Sequence, residues 1–142
     1  MRVVVLHAPK DVRVEQREEP RIEAPTDAVI GVVAACVCGS DLWPYRGVEE
    51  AHDRRMGHEY VGIVEEVGED VRNVEPGQFV VGSFFASDNT CEICRAGYQT
   101  HCVHRQAAAP DGAQAERARI TLADGTLVAT PDIPADDLVP GF

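Results

Sequence analysis

Positive charge is in short supply in this chain. Only 13 Lys and Arg stand against 24 Asp and Glu, a formal net charge of −11. Nucleic-acid backbones and anionic membrane surfaces are both bound by clustered Lys and Arg, so the balance argues against either as a partner. Long apolar runs are also missing: no stretch approaches the roughly 20 residues of a membrane span. The opening MRVVVLHAPK closes early on Pro9 and lacks the long apolar region of a secretory signal. A soluble, cytoplasmic protein is the expectation. There is no glycine-rich strand-to-helix turn of the G-x-G-x-x-G kind; GVVAAC and DGAQAE are too weak to serve. Internal repeats, low-complexity tracts and long amphipathic helices are absent as well. So is an even cysteine count. Cys36, Cys38, Cys91, Cys94 and Cys102, without a signal peptide, fit reduced thiols or metal ligands better than a disulfide framework.

What is present is a series of short strands. Residues 2–7 and 12–18 read as a pair joined by a Pro-containing turn, with Val12, Val14 and Gln16 on a partly buried face. Residues 19–27 form a Pro-punctuated connector. Residues 28–37 make a buried, β-branched strand that would carry Cys36 inside it. CGSDLWPYRG (38–47) reads as a turn with a short helical piece. Strands follow at 60–68 and 77–85, and a last pair at 116–122 and 126–131 flanks an ADG turn. Hydrophobic residues make up 44% of 142, enough for one domain with a core of its own. Many short strands without interleaved helices favour an antiparallel barrel or sandwich over a parallel α/β sheet.

Two groups of residues carry metal-ligand chemistry. The first is Cys38, His58 and Glu59. Thiolate and imidazole suit a borderline-soft ion such as Zn²⁺, and Asp41 could hold the imidazole N–H of a ligating His. The second is DNTCEICRAGYQTHC (88–102), where Asp88, Cys91, Cys94 and Cys102 offer one carboxylate and three thiolates. A closed four-ligand set staples a loop and leaves no position open for substrate. His101 or His104 could replace Asp88 as the fourth ligand. A redox C-x-x-C is the other reading; it wants a strand before the first Cys and a helix starting at it, whereas the flanks here read as loop. His7, His52 and His104 read as surface or hydrogen-bonded residues, and EVGED (66–70) as a solvated turn. Trp43 and Tyr45 are either cleft-lining or plain packing.

Taken together and in this order, the two groups resemble the zinc-containing medium-chain alcohol dehydrogenases. Cys38-Gly39-Ser40-Asp41 is similar to that family's C-G-S-D. Gly57-His58-Glu59 with Gly62 and Gly68 is similar to its G-H-E-x-x-G-x-x-x-x-x-G. Pro76-Gly77-Gln78-Phe79-Val80 stands where a G-D-R-V strand start is usual. Asp88, Cys91, Cys94 and Cys102 follow its structural-zinc spacing, and Gly112–Glu116 resembles its G-x-x-A-E-Y segment. The resemblance implies a mainly β fold: a GroES-like, partly open antiparallel β-barrel with short helices, spanning 1–142, with a zinc lobe at 88–102. It implies a catalytic zinc on Cys38 and His58, with Glu59 as ligand or neighbour, Asp41 orienting His58 and Ser40 passing the alcohol proton. The glycines would spare the metal-side strand from Cβ crowding.

The chain departs from the family at Asp88, where most members have Cys, at Arg117 in place of Tyr, and at Trp43, where some members continue the proton relay with His. It stops at DDLVPGF, before the family's Rossmann domain and the remaining ligand of the catalytic zinc. The expectation is therefore a zinc-dependent alcohol dehydrogenase catalytic domain, inactive when isolated. It would hold up to two Zn²⁺ and use NAD(P) only with a second domain supplied, acting on a small alcohol or aldehyde. The Cys38 and His58 pair disfavours the zinc-free quinone-reductase branch. A free-standing zinc-binding or partner-binding module, and a redox sensor built on Cys91 and Cys94, are the alternatives. Substrate identity, NAD against NADP and oligomeric state are not readable from these residues.

Overall fold

In chain order the strands are β1 (Arg2–Ala8), β2 (Asp11–Gln16), β3 (Ala28–Ala35), β4 (Arg54–Arg55), β5 (Tyr60–Val67), β6 (Phe79–Gly82), β7 (Phe85–Ala86), β8 (Gln106–Ala107), β9 (Arg117–Ile120) and β10 (Leu127–Ala129). Three single helical turns, α1 (Leu42–Tyr45), α2 (Glu92–Arg95) and α3 (Ala123–Thr126), interrupt them. The computed structural model describes residues 1–135, so the DDLVPGF end lies outside the described residues. Every strand pair is antiparallel. The sheets have the orders β2-β1-β4, β10-β6-β5-β3-β9 and β7-β8, and none closes on itself among the described residues. This is the mainly β, open arrangement that the short strands imply.

The five-stranded sheet is central because its strands are the most apolar. Ile30, Val64, Val80, Ala118, Ile120 and Leu127 meet in one buried cluster. Burying each of the larger side chains contributes about 1.5–3 kcal/mol. Asp27, at the start of β3, is buried with a purpose. Its Oδ2 accepts from the backbone N–H of Ala24 at 3.0 Å and from the Arg119 guanidinium at 3.2 Å. The Pro-rich connector is thereby tied to β9, and the buried carboxylate has partners.

Four expectations are corrected. In β2 the valines face outward: Val12 is 45% and Val14 67% exposed, and the partly buried side carries Glu15, ion-paired to His7 and Arg17. Strand β3 ends at Ala35, so Cys36 is not a buried strand residue but an exposed one just past the strand end. The run 77–85 is two strands, because the chain turns at Ser83 and Phe84, where the Ser83 N–H donates to the Thr126 carbonyl at 2.9 Å. The last two strands are not paired with each other; β9 and β10 sit at opposite edges of the sheet. The ADG stretch between them is the helical turn α3. The Asp124 carboxylate there accepts from the N–H groups of Arg72 and Asn73 at 2.8–3.0 Å, a task a tight hairpin turn would not leave it free to do.

Tyr60 is 5% exposed, and its hydroxyl has no hydrogen-bond partner among the described residues. A buried, unpaired hydroxyl is a net cost. Tyr60→Phe is expected to raise the unfolding free energy by about 1 kcal/mol, measured by urea denaturation; a loss of stability would show that the hydroxyl has a partner.

Candidate metal centres

The first centre is assembled by the pairing of β3 with β5. Ala35 lies opposite Tyr60, and the Cys36 N–H extends the ladder to the Glu59 carbonyl at 3.0 Å. Cys38, two residues past Cys36, and His58, just before Glu59, therefore arrive side by side. After Cys38 the chain makes a single 3-10 turn (Gly39–Asp41), closed by the Cys38 N–H donating to Asp41 Oδ2 at 2.9 Å. That leaves Asp41 Oδ1 facing His58 Nδ1 at 3.5 Å, with the carboxylate 6% exposed. Ser40 Oγ lies 3.1 Å from the other ring nitrogen, His58 Nε2. One ligand atom from each of Cys38, His58 and Glu59 fits within 4.8 Å of the other two, with Glu59 at the exposed side.

Gly57 explains why the His58 turn starts as it does. Its φ is +98°, and a Cβ there would lie 2.2 Å from the Gln114 nitrogen. An L side chain is excluded twice, by conformation and by contact. A Cβ at Gly57, Gly62 or Gly68 would meet neighbouring backbone first, from Gln114, Gly31 and Pro25 respectively.

The second centre is the 88–102 lobe. Cys91 caps α2, with the Cys94 N–H 3.4 Å from its Sγ, and Gly97 ends the turn at φ +90°. Asn89 adopts a left-handed conformation at φ 58°, a geometry asparagine tolerates, and this folds Asp88 back over the thiols. Sγ of Cys91 and Cys94 are 3.4 Å apart; Asp88 Oδ1 lies 3.7 Å from Cys94 Sγ and 3.3 Å from Cys102 Sγ. Zinc–ligand bonds of 2.0–2.3 Å at tetrahedral angles put ligand atoms about 3.3–3.8 Å apart. The four atoms, all within 4.8 Å of one another, are spaced to fit such an ion. His101 and His104 are not in the set. His104 instead hydrogen-bonds Asp88.

Between the two cysteines of the C-x-x-C the chain forms α2, with Cys91 as its N-cap. The segment before it, Asp88–Thr90, is a turn and not the strand a redox C-x-x-C wants.

The electrostatics of the lobe are those of a set of donors that want a cation. Burial and the adjacent thiols push Cys94 up to about 12. Backbone N–H groups of Val103 and Cys94 pull Cys91 down to about 7. The Thr90 N–H, the His104 ring and the Thr90 hydroxyl hold Asp88 far below the usual carboxylate range.

Between the His58 turn and the lobe-side strands lies a cleft of about 620 Å³. His58, Asp41, Phe84 and Met56 line it, with Arg55 and Asp111 facing each other at 3.6 Å. Phe84 packs edge-on to His58 with ring centroids 4.7 Å apart. A single strand over 77–85 would hold Phe84 within the sheet, whereas it stands in the break between β6 and β7. Two adjacent large aromatics in a half-buried strand, where one must face water, were the available signal. Trp43 is 57% exposed and is absent from the lining of this cleft.

An open antiparallel framework with these two donor groups defines a class, the GroES-like domain of alcohol dehydrogenases. The chain belongs to that family: the alcohol dehydrogenase GroES-like domain matches residues 24–132. Zinc-type alcohol dehydrogenase B of Aspergillus flavus is 42% identical over 136 residues, covering 93% of this chain and 32% of that protein. Medium chain reductase/dehydrogenase ucsI of Acremonium sp is 40% identical over 142 residues, covering 96% and 49%. Among solved structures, alcohol dehydrogenase TADH from Thermus sp. ATN1 superposes with a TM-score of 0.84 at 35% identity, over 93% of this chain and 40% of that one. The chain thus spans between a third and a half of the length of these relatives.

The lowered Cys91 and raised Cys94 give an order of reactivity, since only the thiolate attacks. In reduced protein stripped of metal, iodoacetamide is expected to label Cys91 before Cys94, with a rate at Cys91 rising through pH 7. Peptide mass spectrometry reads the order; Cys94 reacting first would contradict the geometry.

Proposed function

We propose that these residues form the zinc-binding catalytic domain of an alcohol dehydrogenase-type oxidoreductase, moving hydride between a small alcohol or aldehyde and NAD(P). The observation that carries this reading is the convergence of Cys38, His58 and Glu59, with Asp41 behind the imidazole, beside a cleft. Zinc held there would supply Lewis-acid polarisation of an alcohol or carbonyl oxygen. Asp41 Oδ1 stands 3.5 Å from His58 Nδ1, where it can orient the imidazole toward a metal held with Cys38 and Glu59. Ser40 Oγ stands on the Nε2 side, positioned to take the alcohol proton by hydrogen bond. Trp43 cannot extend that relay, because an indole N–H donates and does not accept. Phe84 offers the substrate's carbon chain an apolar wall next to His58.

Asp88, Cys91, Cys94 and Cys102 hold a second, structural zinc in this reading. It closes the lobe and takes no part in the reaction. In this reading the nicotinamide is held by other residues, and these residues by themselves do not turn over alcohol. The relatives named as alcohol dehydrogenases support the reaction class.

Elemental analysis of freshly purified protein is expected to find about two zinc ions per chain. Cys91→Ser removes one and lowers the melting temperature on the order of 10 °C. His58→Ala removes the other and leaves the lobe zinc in place. Protein without zinc, or Cys91→Ser with unchanged metal and melting temperature, would sink the assignment. Alcohol oxidation by these residues alone, followed at the nicotinamide absorbance, would place the cofactor site inside them instead.

A further inference from the structure

We infer that His104 and Thr90 are positioning residues that make Asp88 a one-oxygen ligand of the lobe metal. The inference rests on the reading of the lobe as a zinc site and goes beyond its four ligands. The two carboxylate oxygens of Asp88 have separate surroundings. Oδ1 faces the thiols, 3.3 Å from Cys102 Sγ and 3.7 Å from Cys94 Sγ, and accepts the backbone N–H groups of Thr90 at 3.0 Å and of Cys91 at 3.4 Å. Oδ2 is turned away from the thiols. It accepts from the Thr90 hydroxyl at 2.7 Å and from His104 Nδ1 at 2.5 Å. With both donors on Oδ2, rotation of the carboxylate about its last side-chain bond would break two hydrogen bonds. Only Oδ1 is left to bind metal.

The chain needs this because Asp88 stands in a set of sulfur ligands. A carboxylate has a shorter reach to zinc than a thiolate and two chemically equal oxygens. Left free, it could bind through either oxygen or swing to solvent, and each alternative loosens the site. Hydrogen-bonded partners of this kind orient a ligating carboxylate and strengthen its hold. His104 is tied to the lobe at a second point, since its backbone N–H lies 3.3 Å from Cys102 Sγ. Its ring is 64% exposed, so packing does not account for its orientation; the carboxylate does. The Asp88 side chain itself is only 15% exposed. His104 thereby serves the metal through Asp88 and does not replace it.

The test is zinc release from the purified chain into excess chromogenic pyridylazo chelator. The lobe's phase is the one that Cys91→Ser abolishes. His104→Phe is expected to speed that phase by about tenfold or more, and Thr90→Val by a smaller factor. His104→Asn, whose amide N–H can reach the same oxygen, restores much of the lost time. The deciding comparison uses Asp88→Cys, which leaves no carboxylate to orient. In that background His104→Phe is expected to release zinc at the rate of Asp88→Cys alone, which also shows that the lobe folds with Phe at 104. Two outcomes overturn the inference: an unchanged release rate in His104→Phe, or equal acceleration with and without Asp88. A lobe that holds no zinc before any substitution overturns the zinc reading itself, and the inference with it.

Discussion

The ladder between β3 and β5 determines where Cys38 and His58 meet. Its pairing runs from Ala28 opposite Val67 to Ala35 opposite Tyr60 and continues through the Cys36–Glu59 backbone bond. Two irregularities in register, between Val29 and Ile30 and between Val32 and Ala34, shift the pairing along the way. The two shifts are of opposite sense and cancel, so Ala35 meets Tyr60 in the same register in which Ala28 meets Val67; because side chains alternate faces, a net slip of one residue would turn the ligands to opposite sides. The first centre is thus a consequence of strand register. Its ligands are held by backbone hydrogen bonds before any ion is considered.

The lobe is held in another way. It contributes nothing to the five-stranded sheet. It is anchored at its root, where Ser87 Oγ donates to the Gly125 carbonyl at 2.9 Å and the Asn89 amide donates to the Asp124 carbonyl at 3.1 Å. Asp124 is the residue whose carboxylate also binds the 72–73 backbone. A single turn, α3, therefore ties the lobe and a distant loop to the edge strand β10. Beyond that root the lobe's order depends on its own donors. Buried Cys94 beside two further thiols and a carboxylate is a cluster of potential negative charge, which a cation bound there would stabilise.

The cleft lies beside the first centre, and its lining takes no residue from the 88–102 lobe. Met56 and His58 come from the turn before β5, and Phe84 from the break between β6 and β7. The break that spoils a continuous strand at Ser83 is what turns the Phe84 ring toward His58. The chain covers 32–49% of its two curated relatives.

Much of this was legible in the order of residues. The strand pattern, the two donor groups and the C-G-S-D and G-H-E stretches are local, and local chemistry leaves a mark in sequence: β-branched runs, Cys spacing, a glycine where no Cβ fits. Even the fit of Asp88 among thiols follows from its three-residue step before Cys91. Other features were invisible because they depend on partners far along the chain. Which valines of β2 would face water depended on what the rest of the fold laid against them. The separation of β9 from β10 depended on each pairing with a strand distant in sequence, β3 and β6 respectively. That His104 would turn to Asp88 as a hydrogen-bond donor and not join the thiols as a ligand depended on the left-handed turn at Asn89. The sequence by itself determined which residues could bind metal and in what groups. Tertiary structure alone decided which atom of each faces the site, because orientation is set by hydrogen bonds between residues that are distant in sequence.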